Sequence, residues 1–207
     1  ESDGTFDTDT IKIDRVTHQF TKPGFYKVTL QTIDEMQRVA IITNNCVIKE
    51  RCPEDMVSIT LENQKQFCID KYEWPNTKKT LPLTGVSWVE AKMFCIDAGK
   101  RLCTAKEWEN ACNGGSNLLY PYGNQFEKER CAVGGKNVRK SGSFSHCQNT
   151  GTFDMVGNVW EWVENKNGDY PLSMGGSFRY GKLARCSLQS QGTVATQSNE
   201  TGFRCCK

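Results

Sequence analysis

Long apolar runs are missing from this chain. No stretch approaches the roughly 18 residues that a membrane-spanning helix requires, and no basic-then-apolar leader opens the sequence. An exported form would therefore have lost its signal already. Histidine is scarce: His18 and His146 stand far apart, which offers no histidine cluster for a catalytic metal. No Cys-x-x-Cys occurs, so the usual spacing of a structural zinc site is absent. No Gly-x-Ser-x-Gly occurs either, which removes the nucleophile-elbow signature of serine hydrolases. An excess of one charge sign is also lacking. With 26 basic against 24 acidic residues the net charge is +2, too small a global field to recruit nucleic acid or an anionic membrane surface.

What the chain does hold is cysteine, 11 in 207 residues. That is too many for an ordinary reduced cytosolic enzyme and points to folding in an oxidising compartment. The count is odd, so one thiol is free or pairs outside the chain. None precedes Cys46, while nine lie between Cys68 and Cys206, and this step places a boundary near residue 50. Before it, apolar residues alternate at Tyr26, Val28 and Leu30 beside Pro23-Gly24, and again from Val39 to Val47, which predicts antiparallel strands. His18, Phe20, Pro23, Gly24, Tyr26, Val28, Leu30 and Asp34 together resemble the C-terminal half of a PKD-type β-sandwich module. Residues 1–49 are too few for a whole module, so the missing strands are expected from an earlier segment or from a partner.

Beyond the boundary, Met56–Leu61 and Phe67–Trp74 read as strands around a polar turn. Two helices follow, each opened by a capping box: Ser87 with Glu90, and Thr104 with Glu107. Gly99 and Gly114 are their stops. Cys95 and Cys112 fall on the apolar faces. After Gly115 the sequence becomes aperiodic, rich in Gly, Asn, Ser and aromatics, and so long a loop-rich region needs disulfides or an ion to hold it.

Seven motifs stand in a familiar order: Phe67-x-Ile69-Asp70-x-Tyr72-Glu73; Pro82 with Val86-Ser87-Trp88 and Ala91; Gly99-Lys100-Arg101-Leu102 with Thr104 and Glu107-Trp108-Glu109; Tyr120-Pro121-Tyr122-Gly123; Asp154-Met155-x-Gly157-Asn158-Val159-Trp160-Glu161-Trp162; Gly175-Gly176-Ser177-Phe178; and Gly202-Phe203-Arg204. Residues 50–207 thereby resemble the formylglycine-generating enzyme, or sulfatase-modifying factor, family. The resemblance implies an α+β chain, a loop-rich variant of the C-type lectin fold with two helices and short antiparallel strands. It implies disulfides Cys95–Cys205 and Cys112–Cys186, whose 110- and 74-residue loops could each contribute about 4 kcal/mol. Cys131 and Cys147 flank a loop and form the best local pair. Cys46, Cys52, Cys68, Cys103 and Cys206 stay unassigned, with the odd thiol expected near Cys46 and Cys52.

The same resemblance implies calcium held by the side chains of Asp154 and Glu161 and the carbonyls of Gly157 and Val159, a hard-oxygen set that suits this ion. If calcium is absent, the tryptophans pack and the two acids face water. A second calcium site of the family lacks its oxygen side chain near Cys131-Ala132. Family enzymes oxidise a sulfatase cysteine to formylglycine with a copper-binding cysteine pair, thiolates being apt ligands for Cu(I). That pair should follow Gly175-Gly176-Ser177, but the first cysteine there is Cys186, at the disulfide position. Copper and formylglycine generation are therefore not expected. A related iron-dependent sulfoxide synthase branch would need the histidines this chain lacks.

The expectation is a non-catalytic, extracytoplasmic binding or structural module. Phe178, Arg179, Tyr180 and Lys182 would form its ligand-binding surface, with Gln189 to Asn199 as its extension, and a protein or glycan would be its partner. The alternatives are an enzyme with altered redox chemistry, through Cys103 or the vicinal Cys205-Cys206, and a ligand binder diversified by a retroelement.

Overall fold

The computed structural model describes residues 18–20, 24–48, 51–165 and 170–207 and divides into two units, Glu1–Arg51 and Cys52–Lys207. In the first unit, β1 (Gly24–Ile33) pairs antiparallel with β2 (Val39–Ile48) along its whole length. The turn joining them is Asp34–Arg38, where Asp34 Oδ1 accepts the backbone N–H of Met36 and of Arg38 at 2.9 Å each. Asp is suited to this role because its short side chain can cap nearby backbone donors. Residues 21–23, which include the expected proline of the Pro-Gly turn, lie outside the described residues. The hairpin keeps apolar side chains in solvent, with Phe25 87% and Ile41 62% exposed. Two strands alone are marginal in water.

In the second unit the strands are short. β3 (Met56–Thr60) and β4 (Gln66–Asp70) form a hairpin that, with β12 (Cys205–Cys206) and β5 (Arg101–Leu102), makes a four-stranded sheet in the order β3-β4-β12-β5. β4 stops at Asp70, earlier than the alternation to Trp74 suggests: the next residues turn, and Asn76 Oδ1 takes the Tyr72 N–H at 3.0 Å. The second sheet has the order β10-β9-β8-β11, built from β8 (Trp160–Val163), β9 (Leu172–Met174), β10 (Gln189–Gln191) and β11 (Thr201–Phe203). Its β8 and β11 run parallel, setting Thr201 beside Trp160 and Phe203 beside Trp162. A small ladder, β6 (Gln148–Asn149) with β7 (Thr152–Phe153), completes the set.

Helices α1 (Trp88–Asp97) and α2 (Ala105–Asn113) begin where the capping boxes place them, both reciprocal bonds being present at Ser87/Glu90 and at Thr104/Glu107. α2 ends on Gly114 in the left-handed region, φ 65°. Their inward residues, Ala91, Cys95, Trp108, Ala111 and Cys112, are almost wholly buried. Three disulfides then tie the helical side of the unit to the rest. In β12, successive side chains point to opposite faces, so Cys205 reaches Cys95 of α1 while Cys206 reaches Cys103 ahead of α2. Cys112 is bonded to Cys186, Cys131 to Cys147 and Cys52 to Cys68. Cys46, in β2, is the free cysteine.

Candidate functional site

The run Asp154–Glu161 is folded by its own residue types. Asp154, Gly157 and Asn158 all take positive φ, at 58°, 80° and 52°. Asp and Asn tolerate this region, and glycine occupies it freely. At Gly157 no other residue fits, because a Cβ would stand 2.5 Å from the carbonyl oxygen of Ala132. Asn158 uses all of its polar groups. Its N–H donates to Ala132 O (2.8 Å) and its carbonyl accepts from Phe178 N (2.9 Å). Its side chain accepts from Arg139 N (2.8 Å) and donates to Glu73 Oε1 (2.8 Å) and Arg139 O (3.1 Å).

This turn delivers two carboxylates into an ionic core rather than to solvent, which rules out the water-facing arrangement for these acids. Glu161 and Asp154 are buried, as are Glu73 and Arg204. Arg204 sits between β11 and β12, and its guanidinium donates to both oxygens of Glu161 (2.7 Å each) and to the carbonyls of Asp70, Lys71 and Phe153. Trp108 of α2 donates its indole N–H to Glu161 Oε2 at 2.6 Å. Glu73 accepts from Ser141 Oγ and Asn158 Nδ2, and Asp154 Oδ2 accepts the Gly142 N–H at 2.5 Å. Glu73 and Arg204 carry no role in the sequence reading. The available signal was that both stand inside motifs with no chemistry assigned to them.

Three carboxylates thus share one guanidinium. Burial, then the nearby Asp154 and Glu161 charges, raise Glu73 well above the usual carboxylate range. Burial pushes Asp154 up to about 6, against the pull of the Gly142 N–H and Arg204. The folded state therefore holds a proton on Asp154 that the unfolded chain releases near 3.8. The stability associated with this group is present below about pH 4 and declines as pH rises to about 6. With divalent cations chelated, Asp154→Asn is expected to gain on the wild type by about 2–3 kcal/mol between pH 4 and pH 7.5. Urea denaturation of both proteins at the two pH values measures this, and a constant difference would refute it.

The donors of the expected calcium site are of the right kind: the Asp154 and Glu161 carboxylates and the carbonyls of Gly157 and Val159, all on one buried turn. Glu161 Oε2 already accepts two hydrogens and Oε1 one. A carboxylate oxygen has two lone pairs, so Glu161 can offer a cation one oxygen, Oε1. Among the described residues no three His, Cys, Asp or Glu side chains are gathered as a metal cluster, so such a site depends on the carbonyls. For copper the residues do not fit. All ten cysteines of Cys52–Lys207 are in disulfides, which leaves no thiol pair in that unit. Cys103, Cys205 and Cys206, the residues of the redox alternative, are among them and are fully buried.

The expected ligand surface is only partly a surface. Phe178 is 5% exposed: its backbone is pinned by Asn158 and Gly135, and its ring lines a cavity of about 170 Å³ with Arg139 and Phe144. Arg179 is committed to Glu200 (Nε to Oε1, 2.6 Å) and lies over the Phe178 ring. Tyr180 is partly exposed and meets Trp160 edge-on at 4.9 Å. Lys182 is exposed, and among the described residues its ammonium has no partner.

The sequence model of the Sulfatase-modifying factor enzyme 1-like domain matches residues 15–207. The chain belongs to this family. The match takes in the N-terminal hairpin as well as the disulfide-bonded unit. Over 152 residues the chain is 31% identical to the inactive C-alpha-formylglycine-generating enzyme 2 of Bos taurus, covering 62% of this chain and 50% of that protein. Over 165 residues it is 30% identical to the formylglycine-generating enzyme of Mus musculus, covering 60% and 43%. The chain spans about half the length, or less, of these curated relatives. Among solved structures, Treponema denticola variable protein 1 matches with a TM-score of 0.60 at 15% identity, over 89% of this chain and 99% of that one. PvdO from Pseudomonas aeruginosa gives 0.58 at 15%, over 89% and 91%. At such identity the likeness is one of fold, and it agrees with an α+β sulfatase-modifying-factor domain.

Proposed function

We propose that this sulfatase-modifying-factor domain is a non-catalytic binding or structural module that works outside the cytoplasm. The carrying observation is the fate of its cysteines. A Cu(I) site of this family needs thiolates, and in Cys52–Lys207 every cysteine sulfur is already in a disulfide. Membership of a family that includes a relative named as inactive supports the same reading. Five disulfides favour an oxidising compartment. The N-terminal hairpin is taken as part of a PKD-like module whose exposed apolar faces are covered by further strands, from the same chain or from a partner. Alkylation of the unreduced, denatured protein should modify one thiol per chain, at Cys46. Two or more modified cysteines within Cys52–Lys207 would remove the basis of the proposal.

Calcium at the Asp154–Glu161 turn belongs to the same proposal. Three buried carboxylates against one guanidinium leave negative charge for a dication to neutralise. Calcium at about a hundred times its dissociation constant would add about 2.7 kcal/mol. The thermal midpoint should therefore fall on chelation and recover on adding calcium, and Asp154→Ala should abolish the difference. An identical midpoint with chelator and with calcium would reject the site.

A further inference from the structure

Two segments that the fold brings together carry a charge pattern quite unlike that of the whole chain. Residues 124–148 and 176–188 hold eight of the 26 basic residues and two of the 24 acidic ones. That is a local excess of six in a chain of net +2, so the remainder is net negative by four. The segments are adjacent: Gly135 N donates to Phe178 O at 2.7 Å, and the Tyr120 hydroxyl, next to the first segment, donates to Lys182 O at 2.9 Å. Within them, Arg130 is paired with Glu127 and Arg179 with Glu200. The other six cations, Lys128, Lys136, Arg139, Lys140, Lys182 and Arg185, are all exposed, and among the described residues none has a side-chain hydrogen bond or ion pair. Glu129 is the remaining unpaired acid.

Part of this face is hollowed. The cavity of about 170 Å³ bounded by Arg139, Phe144 and Phe178 adjoins an open depression of about 310 Å³, the two sharing Glu129 and Phe144. Lys128, Ser145 and His146 line the depression. Lys128 and Arg139 lining two adjoining hollows, the shared Phe144 ring, the Ser145 hydroxyl and further cations on the same two segments match a chain of sugar rings bearing sulfate or carboxylate groups. Such a polymer offers charge at intervals, flat faces for the ring and hydroxyls for the serine. Unpaired like charges repel one another and disfavour the compact state, and a polyanion relieves that repulsion.

We infer that the face formed by residues 124–148 and 176–188 binds an anionic polysaccharide. The inference rests on the reading of this unit as a binding module and gives that module a ligand class. The full chain is applied to immobilised heparin at 0.15 M NaCl and titrated with soluble heparin, polyglutamate and a single-stranded oligonucleotide over a salt series. Heparin should bind most tightly, with affinity that falls steeply as salt rises. The double variant Lys136→Glu/Arg139→Glu should weaken binding by about tenfold or more, as each reversal both removes an attraction and adds a repulsion. Lys182→Glu/Arg185→Glu, on the second segment, should do the same, while Lys65→Glu/Lys106→Glu, outside both segments, should leave affinity within about twofold. These side chains are exposed, and unchanged thermal midpoints confirm intact folding. No retention of the wild type, equal loss in all three variants, or equally tight binding of polyglutamate or oligonucleotide would each overturn the inference. A copper titration of the same sample keeps the two ideas apart: failure to bind heparin without copper uptake sinks the ligand class alone, whereas stoichiometric Cu(I) uptake sinks the non-catalytic reading.

Discussion

Replacing Arg204 by leucine is expected to lower folding stability by about 3–5 kcal/mol, the range for breaking a buried charge pair from one side. The guanidinium is wholly buried and supplies hydrogens to both Glu161 oxygens and to three backbone carbonyls. Without it, Glu73, Asp154 and Glu161 share an enclosed space with no guanidinium, and the carbonyls of Asp70, Lys71 and Phe153 each lose a hydrogen bond. Lysine does not repair the defect, since three hydrogens on one ammonium cannot span five acceptors arranged for a planar fork. Urea denaturation of wild type, Arg204→Leu and Arg204→Lys measures the effect. A loss under about 1 kcal/mol for the leucine variant would show that the ionic core does not hold the unit together.

The second large effect belongs to the Cys95–Cys205 bridge. It closes 110 residues, and in the chain-entropy model its removal costs about 4–5 kcal/mol. Cys131–Cys147 closes 16, for which the same relation gives about 3 kcal/mol. The double variant Cys95→Ala/Cys205→Ala should therefore be the less stable of the two when compared with Cys131→Ala/Cys147→Ala. Packing does not reorder the pair, because all four cysteines are buried in apolar clusters where truncation leaves a void. Denaturation midpoints of the two variants, both kept oxidised, decide the order. The reverse order would mean that the short bridge restrains the loop-rich half more than its length implies.

The parts of this fold that were legible in the sequence are those governed by local rules. Ser87 with Glu90 and Thr104 with Glu107 announce helix starts because a capping box is a contact between neighbours in the chain, and Gly114 marks a stop because only a left-handed residue ends the helix there. The pairing of Cys103 with Cys206 was not legible, since it depends on β12 entering a sheet between β4 and β5, strands more than a hundred residues upstream. Nor was the ionic core, which brings Glu73 and Arg204 from two distant segments to the carboxylates of the Asp154–Glu161 run. The chain order of these residues says nothing of their meeting. Phe178 shows the opposite failure: an aromatic in a loop-like segment reads as surface, yet the hydrogen bonds of Asn158 and Gly135 to its backbone turn it inward.

The account rests on the claim that a sulfatase-modifying-factor domain has here lost the chemistry of its catalytic relatives. The most direct test is to incubate the oxidised protein with Cu(I), oxygen and a sulfatase-derived cysteine peptide, and to follow aldehyde formation by mass spectrometry. The peptide cysteine should remain unconverted at every protein concentration. Aldehyde that scales with the amount of protein, and disappears when copper is withheld, would contradict it.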